Sequence, residues 1–277
     1  MNVIEYNFEH YNTLAPNLYR KEKYRLQVEL LKLQEDAIIN KRKIAVCFEG
    51  RDTAGKSSTI NFFSEHLIPS NFKYVHLGIP TDEEKANWFE RWEKHLPKKG
   101  ELVLFDRSWY TRALIEPTLG YCTKTEYKKF MNKVNKWEKN LIKSDIELIK
   151  FYFSIDQDQQ KRRLSARKNS KLKYWKLSKS DQMMVDKWDL FTLYKNQMFD
   201  ITSTKIAPWV VVNANNKMIA RLSALRYLLN SFDYERKKTL EPPKWGEDLG
   251  NYSCYIEGIY FDNLSYEQFK ILALYSD

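Results

Sequence analysis

Apolar positions follow two alternating rhythms along this chain. Over residues 17–42, Leu18, Leu26, Leu30, Leu33 and Ala37 fall near helical spacing with charges between them, which predicts an amphipathic helix. Residues 43–49, KIAVCFE, are a short apolar run that stops at a glycine, the mark of a buried strand. The same pair of signals then repeats. A helix is predicted over 55–66 and a strand over 72–77. A helix over 82–95 has Trp88, Phe89 and Trp92 at helical spacing and is stopped by Pro97. Residues 101–105, ELVLF, predict a third strand, and 125–143 a charged amphipathic helix. Residues 146–155, IELIKFYFSI, predict a fourth strand. A helix over 181–200 carries Met184, Trp188, Phe191 and Met198 on one side. Residues 208–213, PWVVVN, predict a fifth strand, with a helix following to about residue 230. Five strands alternating with helices imply an open parallel α/β sheet covered on both faces. The tail, 239–277, with Pro242, Pro243 and many tyrosines, reads as an irregular surface wrap.

Composition excludes several classes. At 277 residues the chain allows one or two domains. With no linker-like stretch, one domain over 1–277 is expected. Aromatic residues at 15% exclude disorder as the dominant state. No apolar run approaches 18 residues, so no membrane span is expected. Residues 1–10 lack a basic region followed by an apolar stretch, so no signal peptide is expected. Cys47, Cys122 and Cys254 are 75 and 132 residues apart, which is neither a disulfide framework nor zinc spacing. A reduced, cytoplasmic protein is the expectation.

Charge adds the first positive clue. Lys and Arg number 46 against 36 Asp and Glu, a net of +10, which suits an anionic partner. Residues 161–180, KRRLSARKNSKLKYWKLSKS, contain no acid at all. Such a run is either a solvated basic face or a cationic lid.

The first strand leads into Gly50, Arg51, Asp52, Thr53, Ala54, Gly55, Lys56 and Ser57, with Ser58 next. This fits G-x-x-x-x-G-K-[ST], with a strand before it and a helix after it. Glycines let the loop curl with its N–H groups inward. The helix N-terminus adds partial positive charge, and Lys56 adds a full one. Asp52 is unusual, because a carboxylate in a phosphate cradle repels its ligand. It could hold Mg2+, keep a proton, orient a nucleophile, or turn outward to cap a backbone N–H. The third strand runs into Asp106, Arg107 and Ser108. A carboxylate at the carboxyl edge of a neighbouring strand lies where open α/β sheets bind ligands. Arg107 and Arg112 could fork phosphoryl oxygens, although Arg112 and Glu116 also fit an i,i+4 ion pair. Arg162, Arg163 and Arg167 lie close enough on one helix for two of them to share a face. A lid carrying them would exclude water and bring charge to a moving phosphoryl group.

Taken together, four stretches resemble the polyphosphate kinase 2 family: GRDTAGKSSTI, WFERWEKHLPKKGELVLFDRSWYTRALIE, IKFYFSID and YWKLSKSDQMMVDKWDLFTLYKNQMF. The resemblance covers about residues 14–243 and leaves out the tail. There are departures. Ser57 and Ser58 stand where many relatives carry glycines, Asn169-Ser170 replaces the usual Asp-Pro of the lid, and Thr111 stands where Asn is common.

The resemblance implies a P-loop kinase-like fold with an N-terminal helical segment near 14–42, a basic lid near 161–181 and a C-terminal extension near 239–277. It implies reversible transfer of a terminal phosphoryl group between inorganic polyphosphate and a nucleoside di- or triphosphate (ADP to ATP, GDP to GTP). The cofactor would be Mg2+, with Mn2+ as a substitute. Lys56 and the loop would hold the phosphoryl group, Asp52 and Asp106 the metal, and Arg107, Arg112, Arg163 and Arg167 would neutralise charge. Lys85, Arg91, Lys94, Lys98, Lys171 and Lys173 would extend a polyphosphate track. A homo-oligomer is expected, and no nucleic-acid or membrane partner. Two rivals stay open. An ATP-dependent nucleoside or nucleotide kinase would keep the loop and lid. A non-enzymatic nucleic-acid-binding protein would explain the charge but not Asp52 and Asp106.

Overall fold

The apolar runs at 43–49, 101–105 and 146–155 become adjacent central strands because both of their faces are covered. The structure is a computed structural model and describes residues 3–6, 16–241, 252–256 and 259–274. Its first elements are β1 (Ile4–Glu5), α1 (Pro16–Ile39), β2 (Lys43–Gly50), α2 (Lys56–Ser64), β3 (Phe72–Val75), α3 (Asp82–Ala86), α4 (Trp88–Glu93) and β4 (Glu101–Asp106). Then come α5 (Ile115–Leu119), α6 (Lys124–Lys143), β5 (Ile146–Ser154), α7 (Gln157–Asn169), α8 (Lys179–Asp186), α9 (Trp188–Thr202), β6 (Trp209–Asn213) and α10 (Lys217–Asn230). The chain closes with β7 (Tyr252–Ile256), β8 (Ile259–Leu264) and α11 (Tyr266–Leu272).

The main sheet has six parallel strands in the order β1-β6-β5-β2-β4-β3. The pattern predicted five. The sixth, β1, is two residues long and pairs Ile4 with Val210 and Glu5 with Val211 at the edge of the sheet. Two residues carry no period, so patterning cannot reveal them. Successive strand residues enter opposite layers. Ile44, Val46 and Phe48 pack with α1, α2 and α10, while Ala45 and Cys47 face the layer containing Trp92, Trp109, Phe130 and Phe199. Every inner strand therefore reads as nearly continuous apolar sequence.

Chain direction sets the site. From β2 the chain crosses through α2 to β3, and from β4 it crosses back past β2 to β5. The carboxyl end of β2 is therefore a switch point, where ligand crevices form in such sheets. Parallel register puts Phe48 beside Asp106 and Gly50 beside Phe153.

Three expectations change. The helix over 82–95 breaks at Asn87, which ends α3 and begins α4. The helix over 181–200 breaks at Lys187 in the same way. Both junction residues leave helical backbone (ψ 54 and 30), yet the apolar spacing survives across each break, so periodicity alone sees one helix. The tail is not wholly an irregular wrap. β7 and β8 form an antiparallel pair, and Tyr252 stacks on Phe269 of α11 with ring centres 5.1 Å apart. Among the described residues these strands pair only with each other, and they are too short to give a firm alternation. Residues 242–251 of the tail lie outside the described residues.

Candidate active site

The phosphate loop owes its shape to two glycines. A Cβ at Gly50 would lie 2.4 Å from the Phe153 carbonyl oxygen, so β5 admits no side chain there. Gly55, at φ 97, turns the chain into α2. Thr53 adopts φ 63 without being glycine. Lys56 is buried, and its Nζ donates to the carbonyls of Gly50 (3.0 Å) and Arg51 (2.8 Å). Burial, with the Arg107 guanidinium nearby, brings the Lys56 ammonium down to about 8. Arg51 leaves the loop. Its guanidinium stacks 3.3 Å from the centre of the Trp188 ring and donates to the Trp188 carbonyl.

The end of β4 meets the loop. Asp106 accepts hydrogen bonds from Ser57 Oγ and from Tyr74 Oη (2.8 Å), and His76 Nδ1 lies 3.8 Å from it. Arg107 pairs with Asp52. Burial pushes the Asp52 carboxyl up, but Arg107 and Lys56 outweigh burial and hold it below the usual carboxylate range. Arg107 itself sits at φ 66, a region sparsely used by residues with a side chain. Hard oxygens thus converge from Asp106 and Ser57, with Asp52 nearby. Among the described residues no group of three or more His, Cys, Asp or Glu forms a metal cage. The donors present, the carboxylates of Asp106 and Asp52 with the Ser57 hydroxyl, are hard oxygens of the kind Mg2+ takes, one or two carboxylates with phosphate and water completing its shell.

The helix after β5 clamps the loop. Gln160 Nε2 donates to the Asp52 carbonyl (3.2 Å), and Arg163 Nη1 to the Thr53 carbonyl (3.0 Å). The other Arg163 terminal nitrogen donates to the carbonyls of Ala214 (2.7 Å) and Asn215 (2.9 Å) after β6. Burial, with Arg221 nearby, lowers Arg163 to about 10. Arg167, one turn further on the same face of α7, lines the cleft and lies 3.9 Å from Asp181. Arg162 is exposed.

Around the loop lies a cleft of about 1480 Å³, larger than the roughly 300–1,000 Å³ usual for one small ligand. Its described lining holds ten Lys or Arg and four Asp or Glu. Its lining includes His76, Lys85 and Arg91 with apolar Leu77, Ile79 and Met184. It also includes Lys173, Lys176, Lys217 and Arg221, with the exposed Trp175.

A family model for polyphosphate kinase 2 matches residues 13–240. The chain belongs to the polyphosphate kinase 2 family. It is 44% identical over 220 residues to a GDP-polyphosphate phosphotransferase of Mycolicibacterium smegmatis, covering 79% of this chain and 78% of that one. It is also 44% identical over 220 residues to NDP-polyphosphate phosphotransferase 2 of Ruegeria pomeroyi, covering 79% of this chain and 64% of that protein's length. The crystal structure of polyphosphate kinase 2 from Arthrobacter aurescens TC1 superposes with a TM-score of 0.72 at 29% identity, covering 83% of each chain.

Within this polyphosphate kinase 2 fold, the residues singled out from sequence separate into groups. Asp52, Thr53, Gly55, Lys56, Ser57, Ser58, Asp106, Arg107, Arg163 and Arg167 line the cleft together, as do Lys85, Arg91 and Lys173. Gly50 and Ala54 shape the loop without lining the cleft. Arg112 is not brought to the loop. It is buried under Trp88 and paired with Glu116 (2.7 Å) and Glu126 (3.1 Å). Arg163 lines the cleft with its terminal nitrogens bonded to the carbonyls of Thr53, Ala214 and Asn215. Lys94 and Lys98 follow α4, where the crossover returns to the amino end of β4, and neither lines the cleft. Lys171 is exposed and also outside it. Sequence reading missed Tyr74, His76, Lys217 and Arg221. Lys217 and Arg221 carry one usable signal: they are spaced i,i+4 at the start of the helix after the last strand.

As for membranes, no helix among the described residues is long and apolar enough to cross one.

Proposed function

We propose that this chain transfers the terminal phosphoryl group between inorganic polyphosphate and a nucleoside diphosphate, reversibly and with Mg2+. The observation that carries this reading is the cleft: ten Lys or Arg line it around one glycine-bounded loop, in a volume beyond that of a single small ligand. A linear polyanion needs a track of charge, and a nucleotide needs room beside it. The names of the relatives, GDP-polyphosphate and NDP-polyphosphate phosphotransferases, support the same pair of substrates.

In the direction of nucleotide synthesis, the terminal phosphorus of polyphosphate lies over the loop. A terminal oxygen of the diphosphate attacks it in line, and the bond to the chain's bridging oxygen breaks. A triphosphate and a chain one phosphate shorter result. Such transfer needs positioning and charge more than covalent help. Lys56 and the loop N–H groups bind the phosphoryl oxygens. Arg107, held by Asp52, and Arg167 neutralise charge as it shifts, and Arg163 keeps the loop curled. Asp106 and Ser57 would hold Mg2+, which supplies positive charge to the phosphoryl oxygens when bound.

The test is ATP formation from ADP and long-chain polyphosphate, followed by luciferase luminescence with Mg2+ present. ATP should accumulate only with both substrates. Formation that ignores polyphosphate and requires another nucleoside triphosphate would contradict the proposal.

A further inference from the structure

The transfer chemistry leaves one charged group beside the loop without a role. Glu49, the residue before Gly50, is 0% exposed and points into the apolar layer that contains Trp109 and Phe105. A carboxylate in such a layer is costly unless hydrogen bonds compensate for the lost water. Its Oε1 accepts two, both from Ser108: the backbone N–H at 2.7 Å and the hydroxyl at 2.8 Å. Its Oε2 has no hydrogen-bond partner among the described residues. Burial pushes the carboxyl above its usual range, only partly offset by Arg107 and Ser108.

The residue between these contacts explains them. Arg107 lies between Asp106 and Ser108 at φ 66. A side-chain-bearing residue keeps that backbone only where its surroundings over-determine it. Its own N–H donates to the Phe48 carbonyl (3.0 Å), and the next residue is held at two points by Glu49. Consecutive residues of β2 thus grip both sides of the left-handed turn. An apolar side chain at position 49 would fill the layer but hold nothing.

We propose that Glu49 is a positioning residue: its carboxylate fixes the left-handed turn after β4 and so aims the Arg107 guanidinium at Asp52 and the phosphoryl group. This rests on the reading that Arg107 acts on that group. Glu49 touches no substrate. Its effect passes through Arg107.

A double-mutant cycle tests it, using polyphosphate and ADP as substrates and thermal melting to verify folding. Glu49→Ala should lower kcat by about tenfold to hundredfold, the scale of a small misplacement, with the KM for ADP within about twofold. Glu49→Gln keeps an oxygen acceptor for Ser108 and should recover kcat to within about threefold of wild type. In an Arg107→Ala background, Glu49→Ala should cost less than about twofold more, because residues acting as one unit are not additive. Multiplicative losses in the double variant would overturn the proposal. So would a Glu49→Gln enzyme as slow as Glu49→Ala. If Glu49→Ala does not fold, Ser108→Ala takes its place in the cycle, removing one of the two donors under the same criteria. Undiminished turnover in Arg107→Ala would overturn the reading of the site itself, and the role of Glu49 with it.

Discussion

Lys150 and Glu49 point from neighbouring central strands into the same apolar layer, and both are 0% exposed, yet their surroundings are built in opposite ways. Lys150 spends all three of its donors, on Tyr110 Oη (3.0 Å), Glu138 Oε2 (2.8 Å) and the Thr202 carbonyl (2.9 Å). The other Glu138 oxygen accepts from Trp109 Nε1 (2.9 Å). Nothing in that network is left over. At the loop, Glu49 Oε2 and Thr53 Oγ1 have no partner among the described residues, and Thr53 and Arg107 hold left-handed backbone. A completed network fixes a fold, and a completed network cannot also bind substrate. Unspent polar capacity and left-handed backbone at the loop are what a substrate site can use, although left-handed backbone is not confined to it: Lys41, Asp145 and Arg236 adopt it elsewhere. Both regions are buried and ionic, so burial of charge alone does not identify an active site.

The largest expected effect lies in the completed network. Lys150→Met leaves the Glu138 carboxylate buried with its cation gone, and removing one partner of a buried pair costs about 3–5 kcal/mol of stability. Chemical denaturation measures this loss. Turnover per folded molecule should stay near wild type. A large fall in turnover at unchanged stability would break the contrast between the two regions.

The reverse is expected at the loop. Lys56→Ala should lower kcat by about a hundredfold or more, as for removal of an electrostatic stabiliser, without lowering the melting temperature. Near-normal turnover in a folded variant would sink the assignment.

A smaller effect concerns the metal. Asp106→Asn preserves shape and removes charge, so the Mg2+ concentration for half-maximal rate should rise about tenfold or more. Unchanged Mg2+ dependence would remove Asp106 from the proposed metal site.

pH sharpens the comparison further. Burial and Arg107 bring Lys56 down to about 8, so its ammonium is charged below that pH and lost above it. In the free enzyme kcat/KM should therefore fall as pH rises through about 8. Bound phosphate favours the charged form, so the same limb in kcat should lie at higher pH. A kcat/KM that stays flat to about pH 10, where an ordinary lysine titrates, would contradict this.

The smallest expected difference separates two lysines of the basic run. Lys173 lines the cleft and Lys171 does not. Lys173→Gln should raise the KM for long polyphosphate severalfold with kcat held, whereas Lys171→Gln should change neither by more than about twofold. Equal effects from both would mean the lid does not present one side to the substrate.

These outcomes also show which parts of the molecule sequence could reveal. The loop was readable because its chemistry is contiguous: eight residues from Gly50 to Ser57 carry the curl, the charge and the helix start. Asp106 was readable because a buried strand ending in a carboxylate is a local pattern. Tyr74 and His76 come from an edge strand and the residue just past it, and Lys217 and Arg221 from the helix that follows the last strand of the main sheet. Only sheet order brings them to the loop, and spacing along the chain does not contain that order. Lys94 and Lys98 lie outside the cleft for the same reason, since charge on a crossover segment says nothing about which end of the sheet it reaches. Glu49 and Lys150 were absorbed into apolar strand runs, where a single polar letter looks like noise.

Chain-length kinetics test the central claim most directly, namely that the cationic cleft serves a linear polyphosphate. Steady-state rates with ADP would be measured against tripolyphosphate and long chains, each at two salt concentrations. Long chains should show the lower KM, and the gap should shrink steeply as salt rises, because contacts to a linear polyanion release counterions. Equal KM values for short and long chains at both salt concentrations would contradict the account.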